Sequence, residues 1–276
     1  MSLETEVASH YGAGDLLARI EGALKQAGVD PRQPTIDDLK PVDEFHTGGI
    51  EATTALLDQL TIAHDTRVLD LGCGLGGTAR HILHRYGAHV VGVDLTPDYV
   101  AAGRALNDRL HLSEGIDLVE GSVLDLPVDE GAFDLVTMFH VGMNIPDKER
   151  LFAEAARVTK SGGHFALFDV MRGSVEDDLV FPLPWAQSSG LSHVDPPALY
   201  RRAAHAAGFE QVAERDRSEF ARDYFARVKR KIASEGQPPL GIHILMGDTA
   251  GDKIANYLAN LAAQRLAPTE MIFRRA

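Results

Sequence analysis

The sequence predicts a doubly wound α/β fold: a mostly parallel sheet with helices on both faces, and helical additions at both ends that form a cap. Three observations carry this prediction. From residue 67 onward, short apolar runs alternate with helically spaced segments. The first run, R-V-L-D-L, stops at a cluster of glycines, as a buried parallel strand feeding a tight turn does. The second run, H-V-V-G-V-D, stops at an acid, Asp94.

In chain order, residues 14–27 place Leu16, Leu17, Ile20, Leu24 and Ala27 at helical spacing, with Asp15 near the start and Gly28 past the end. Pro31, Pro34 and Pro41 mark the next stretch as a loop holding at most one short helical turn. D-E-F-H-T-G-G-I-E-A, residues 43–52, leads into a helix reaching about Leu60. Then come strand R-V-L-D-L, helix T-A-R-H-I-L-H-R-Y, strand H-V-V-G-V-D, a helix over 97–112, strand I-D-L-V-E-G and strand F-D-L-V-T-M-F. Helix K-E-R-L-F-A-E-A-A-R-V and strand H-F-A-L-F-D-V complete the regular alternation. Residues 172–195, with Pro182, Pro184 and Trp185, read as an irregular insertion. A helix over 196–207 ends at Gly208, and F-E-Q-V-A-E-R begins a sixth strand. Helices over about 219–235 and 250–265 follow, and T-E-M-I-F-R-R reads as a last strand at the edge of the sheet or inserted into it. The predicted organisation is an N-terminal helical cap over 1–61 and a core over 62–276. The core carries the insertion 172–195 and the helical pair 219–266.

The formal net charge of −13 disfavours phosphate backbones and anionic membranes as partners. The densest basic cluster, Arg227, Lys229, Arg230 and Lys231, reads as a solvated helix face. A single cysteine, Cys73, permits no internal disulfide and fits a reducing cytosol, so a cytoplasmic protein is expected. No apolar run approaches the ~20 residues that span a bilayer, and the N-terminus does not read as a signal peptide.

The strongest functional signal is V-L-D-L-G-C-G-L-G-G, residues 68–77, running from strand through glycines into helix. Glycine permits the tight turn and the approach of a ligand to bare backbone. Gly72, Gly74 and Gly77 also satisfy G-x-G-x-x-G, a dinucleotide fingerprint. Asp70 weighs against that reading, because its carboxylate would repel a pyrophosphate and attract an ammonium. Asp94 is placed to accept both hydroxyls of a ribose, which supports a nucleoside of either kind. After the third strand, E-G-S-V-L-D-L-P offers a backbone N–H and a side-chain acceptor to an adenine edge.

On these residues the sequence resembles the class I S-adenosylmethionine-dependent methyltransferases. V-L-D-L-G-C-G-L-G resembles their first motif, V-V-G-V-D-L the acidic second-strand motif, and G-S-V-L-D-L-P-V-D-E-G-A-F-D-L-V the adenine-binding segment. The branch it is most similar to holds ubiquinone/menaquinone C-methyltransferases and sarcosine/dimethylglycine N-methyltransferases. The resemblance implies a Rossmann-like seven-stranded sheet with S-adenosylmethionine as cofactor. It places Gly72, Gly74 and Gly76 against the methionine part and Asp94 on the ribose. Leu95 would pack on the adenine, Ser122 and Val123 would flank its edge, and His140 would lie near the transferred methyl. Ser122 stands where many relatives have Asp. The segment D-E-F-H-T-G-G, with His46 and Gly49, would close over the cofactor.

Methyl transfer needs an aligned acceptor lone pair and no metal. His140 is the candidate catalytic residue; Asn144, Trp185 and Tyr11 are candidates for substrate contact. An aromatic such as Trp185 stacks on a cationic amine or lines an apolar pocket. His243, on an apolar face, reads as a core residue. The favoured acceptor is a small molecule, an amine or related polar metabolite. The alternatives are an NAD(P)-dependent oxidoreductase and a non-catalytic cofactor-binding protein. The 219–266 helices leave a cap and a homodimer contact both open.

Overall fold

The computed structural model describes residues 15–276 together with Glu4 and Glu6. The strands are β1 (Arg67–Leu71), β2 (His89–Asp94), β3 (Ile116–Glu120), β4 (Phe133–Phe139), β5 (Thr159–Arg172), β6 (Phe209–Asp216) and β7 (Leu266–Arg275). They form one seven-stranded sheet in the order β3-β2-β1-β4-β5-β7-β6. β1 pairs in parallel with both β2 and β4, and β4 with β5. β7 is antiparallel to both neighbours, so the last strand is inserted and the exposed edge falls to β6. The strand order reverses at β1, whose chain continues to β2 on one side while β4 lies on the other. In such sheets the crevice beyond the carboxyl ends of these strands is the usual ligand position.

The helices alternate with the strands as the apolar spacing predicts. They are α1 (Leu16–Gln26), α2 (Ile36–Asp43), α3 (Gly49–Leu57), α4 (Gly77–Tyr86), α5 (Pro97–Arg109) and α6 (Lys148–Val158), then α7 (Pro197–Ala206), α8 (Ser218–Glu235), α9 (His243–Met246) and α10 (Ala250–Ala262). Local chemistry sets their ends. Asp147 caps α6 by accepting from the Arg150 amide at 2.8 Å, and Gly87 closes α4 in the left-handed conformation. Alternate residues of the strands feed two cores. Leu69, Val136, Met138 and Phe165 pack under α6 and α7, while Val68, Leu135, Ala166 and Ile272 pack under α3 and α4.

Two expected boundaries differ. The proline-rich loop contains the two-turn helix α2, held by a capping box in which Thr35 and Asp38 satisfy each other's amides. Pro41 lies inside it, tolerated because so short a helix has few internal bonds to lose. The next helix starts at Gly49, within the expected lead-in, but ends at Leu57, short of the expected Leu60.

The additions pack on one another as well as on the sheet. Leu16, Ile20, Leu24, Leu39 and Val42 of α1 and α2 bury against Tyr99, Ala102 and Leu106 of α5, and Ile244 and Leu245 of α9 join them. Leu183, Trp185 and Ala186 of the insertion bury against Tyr257 of α10 and Met143. The end of α2 is clipped to the first strand-helix turn: a Cβ on Gly77 would lie 2.3 Å from the Asp43 carbonyl oxygen. Beside it Arg80, fully buried, donates to Asp43 at 2.8 and 3.2 Å and to Asn107 at 2.7 Å.

Candidate active site

The turn after β1 is built by glycines with two distinct duties. Gly72, Gly74 and Gly76 all adopt positive φ. The amides of Gly72 and Cys73 donate to the Val93 carbonyl at 2.7 and 3.1 Å, which pins the turn to β2. A Cβ on Gly72 would lie 2.3 Å from Val141 Cγ2, so this glycine is required by the protein's own packing. A Cβ on Gly74 would meet only Tyr99, at 3.9 Å, and would otherwise project into open space. Gly76 turns inward: its Cβ position faces Leu118 at 3.1 Å and Arg80 at 3.3 Å.

Open space beside Gly74 is a cavity of about 280 Å³ lined by Gly72, Gly74, Asp70, Asp94, Leu95, Ser122 and Val123, together with His46, His140 and Asn144. Gly76 does not line it, because the helix-starting conformation at this residue points its α-carbon toward β3. Asp94 is buried and accepts from the Gly74 amide through Oδ2 and from the Thr96 amide through Oδ1, both at 2.8 Å. The Thr96 hydroxyl bonds to it as well, and of the about four lone-pair positions of a carboxylate one remains. Burial raises the Asp94 pKa against the pull of those amides. Asp70, also buried, accepts from the Thr137 hydroxyl at 2.7 Å. Burial first, and then the nearby Asp94, push its pKa up to about 7. Ser122 accepts from the Leu124 amide at 3.1 Å and donates to Glu4.

The sequence reading missed Asp43. It lines this cavity with a buried Oδ1 that has no partner among the described residues, while its other oxygen holds Arg80. The signal was present in D-E-F-H-T-G-G, but its first acid was not separated from its glycines. No group of side chains with metal-ligand character occurs among the described residues.

A second cavity, about 780 Å³, adjoins the first, and Phe45, His46 and His140 line both. His140 follows β4 at a φ of 53°, strained for a residue with a side chain. Its amide is held by the Phe168 carbonyl at 2.8 Å, and its Nε2 is buried with no partner among the described residues. Burial, with His46 nearby, holds its pKa well below the ordinary histidine value, so the ring is neutral and Nε2 accepts or donates according to the tautomer. His46 lies with its ring centroid 5.9 Å from that of His140 and is held down to about 4 by burial. Its Nε2 faces the Gly49 carbonyl at 3.2 Å, so that nitrogen carries the proton. Thr53, 2.9 Å from the same nitrogen, then donates to Glu44 at 2.8 Å. Glu44 is buried, and burial followed by Asp43 pushes its pKa up to about 8.

The remaining candidates divide between the two spaces. Gly49 was expected near the cofactor, but its residue lines only the second cavity, because α3 starts there and turns away. Trp185 walls the second cavity, edge-on to Tyr257 with centroids 6.1 Å apart, and donates through Nε1 to Ser192 at 3.0 Å. Asn144 is buried at the first. Tyr11 lies outside the described residues. His243, expected in the core, is only half-buried; it lines the second cavity and pairs with Gln237 at 3.0 Å. Of the basic cluster on α8, Arg227 pairs with Glu51, while Lys229 and Arg230 are exposed.

Comparison with known proteins agrees with this architecture. A profile described as a methyltransferase domain matches residues 69–167. The chain is 31% identical to the sarcosine/dimethylglycine N-methyltransferase of Halorhodospira halochloris over 196 residues, 71% of this chain and 69% of that protein. Among solved structures, phosphoethanolamine N-methyltransferase 2 of Haemonchus contortus with S-adenosylmethionine superposes with a TM-score of 0.73 at 15% identity, covering 100% of this chain and 60% of that one. Geranyl diphosphate C-methyltransferase of Streptomyces coelicolor, with S-adenosylhomocysteine, gives 0.70 at 16% identity over 100% and 98% of the two chains. No helix among the described residues is long and apolar enough to cross a membrane. A seven-stranded sheet with an inserted antiparallel last strand, and this relative over most of both chains, lead to one assignment: the chain belongs to the class I S-adenosylmethionine-dependent methyltransferases.

Proposed function

We propose that the smaller cavity holds S-adenosylmethionine and the larger one a small-molecule acceptor, with His46 and His140 at the junction where transfer occurs. The observation that supports this most is the contact between two cavities of different character at those two side chains. The smaller one fits the cofactor by its donor set. Gly74 leaves its wall bare of Cβ, Asp94 keeps an acceptor position for a ribose hydroxyl, and Asp43 presents a buried oxygen with no partner among the described residues. Asp70 and Asn144 lie on the methionine side, Leu95 packs on the adenine, and Ser122 and Val123 flank its edge. Gly72 shapes the turn. Gly76 serves the packing of the turn, and Gly49 belongs with the acceptor.

When bound, the cofactor supplies a sulfonium-activated methyl group. The chain supplies alignment and exclusion of water. His140 Nε2 accepts a hydrogen bond or proton from the acceptor, and Trp185 packs on the acceptor body. The acceptor cavity is walled by residues 40–51, by 184–185 and by residues between 224 and 257, so the end of segment 1–61, insertion 172–195 and helices 219–266 act together as the cap. An amine nucleophile is favoured by the N-methylating relative. The net charge of −13 speaks against a nucleic-acid acceptor, and the single cysteine for a cytoplasmic setting. The faces of α8 and α10 turned from the cavity are the proposed contact of a homodimer.

Calorimetric titration with S-adenosylmethionine, S-adenosylhomocysteine and NAD tests the reading. Binding of the first two without NAD is expected. Binding of NAD alone refutes it in favour of the oxidoreductase alternative, against which the buried Asp70 at the turn already argues.

A further inference from the structure

Resting on that reading, we propose that the acceptor is a lipophilic molecule with a hydrocarbon or aromatic body. It presents one neutral N–H or O–H to His140, and it is not a zwitterionic amino acid such as those named by the similar sarcosine/dimethylglycine N-methyltransferase. Size is the first argument. Cavities of ~300–1,000 Å³ take drug-sized ligands, and this one measures about 780 Å³. An amino acid of a few heavy atoms would leave most of it empty or wet.

The walls give the second argument. Trp185, Phe225, Tyr257, Val228, Ile232 and Ile254 supply an apolar lining from three separate segments. The third argument is charge. The lysines that line the cavity are Lys40, paired with Asp37 outside it, and Lys231, exposed at the rim. No arginine lines it among the described residues. A ligand carboxylate placed near the histidines would therefore enter unpaired and beside Glu44, an arrangement that burial penalises heavily. At the inner end the groups are instead suited to a neutral partner. His140 Nε2 is a buried nitrogen of a neutral ring with no partner among the described residues, and in the tautomer protonated at Nδ1 it accepts; the His46–Thr53–Glu44 chain is already satisfied internally. One donor on an otherwise apolar molecule matches that end.

The test uses the full chain saturated with S-adenosylhomocysteine. Para-hexylphenol, N-methyl-para-hexylaniline, sarcosine and dimethylglycine are titrated in turn by calorimetry. We expect at least one lipophilic probe to bind at least tenfold more tightly than either amino acid. Ile254 and Ile232 lie in the lining without being fully buried, so Ile254→Glu and Ile232→Glu should fold. Each should weaken the lipophilic probe at least tenfold while leaving the S-adenosylhomocysteine Kd within twofold. Saturable binding of dimethylglycine with none of either lipophilic probe overturns the proposal, as does unchanged probe affinity in both folded variants. Both results leave the methyltransferase reading standing. Failure of the parent protein to bind S-adenosylhomocysteine removes that reading and this proposal with it.

Discussion

Replacing Gly72 and Gly74 by alanine, one at a time, separates a glycine kept for the fold from one kept for a ligand. Both have positive φ, 67° and 54°, so each substitution carries the left-handed penalty of ~1–2 kcal/mol. At Gly74 nothing further is added, because the new methyl meets only Tyr99 at 3.9 Å. At Gly72 the methyl would sit 2.3 Å from Val141 Cγ2, which adds overpacking of ~1–3 kcal/mol. For a chain of this size ~1 kcal/mol moves Tm by about 2–4 °C. Gly74→Ala should thus lose only a few degrees, and Gly72→Ala clearly more. Affinity for S-adenosylhomocysteine should follow the opposite order. Gly74→Ala projects into the smaller cavity and should weaken binding at least tenfold, about 1.4 kcal/mol. Adding Val141→Ala to Gly72→Ala removes both clashing γ-carbons and should restore part of the lost Tm. Thermal unfolding without ligand and calorimetry with it read the two effects separately. Undiminished affinity in Gly74→Ala, or equal Tm losses in the two single variants, would refute the division of labour.

Arg80→Met should cost ~3–5 kcal/mol in urea unfolding, because it strands the buried Asp43 that Arg80 holds at 2.8 Å; a loss below about 1 kcal/mol would show that the clip contributes little. Asp94→Ala should weaken S-adenosylhomocysteine binding at least tenfold and also lower Tm, since it frees the Gly74 and Thr96 amides, each bond being worth ~1.5–3 kcal/mol. Asp94→Asn, which keeps one acceptor, should lose less Tm, and equal losses would remove the amide argument. Stability should fall as pH rises from 6.5 to 8.5. Glu44 and Asp70, raised to about 8 and 7, keep protons in the folded chain that the unfolded chain has already released. That contribution is complete below their ordinary values of 4.5 and 3.8 and disappears as pH passes the raised ones. His46, lowered from 6.5 to about 4, acts in the opposite sense but only below 6.5. Glu44→Gln should flatten the Tm profile above that point, and an unchanged slope would place the titration elsewhere.

Most of the sheet was legible because each parallel strand is built on an apolar run and β1, β2 and β3 end at glycine or acid, so local pattern and burial agree. Asp70, Asp94 and His140 were legible for the same reason: they stand at strand ends. α2 was not, since Pro41 reads as a breaker while the cap that outweighs it uses Asp38 at a position where glutamate is the familiar signal. The different duties of Gly72, Gly74 and Gly76 were hidden as well. They depend on Val141 and Leu118, side chains brought to the turn only by the sheet. The second cavity had little local signature. Its walls come from α2, the residues before α3, the insertion and α8 to α10, and of these only the residues before α3, in D-E-F-H-T-G-G, carry a motif. Trp185 stood out by type, but only its packing on Tyr257 shows which space it faces.

The inserted seventh strand makes closure of the sheet a late event. β6 touches no strand except β7, and β7 alone joins it to β5. A polypeptide halted before Leu266 would therefore hold β5 with a raw flank and β6 with no ladder at all, the kind of unprotected margin on which chains stick to one another. The ten residues of β7 act as the zipper of the molecule, and trimming the chain from Leu266 onward should turn a well-behaved protein into an aggregating one even though the proposed cofactor site lies beside β1 and β2.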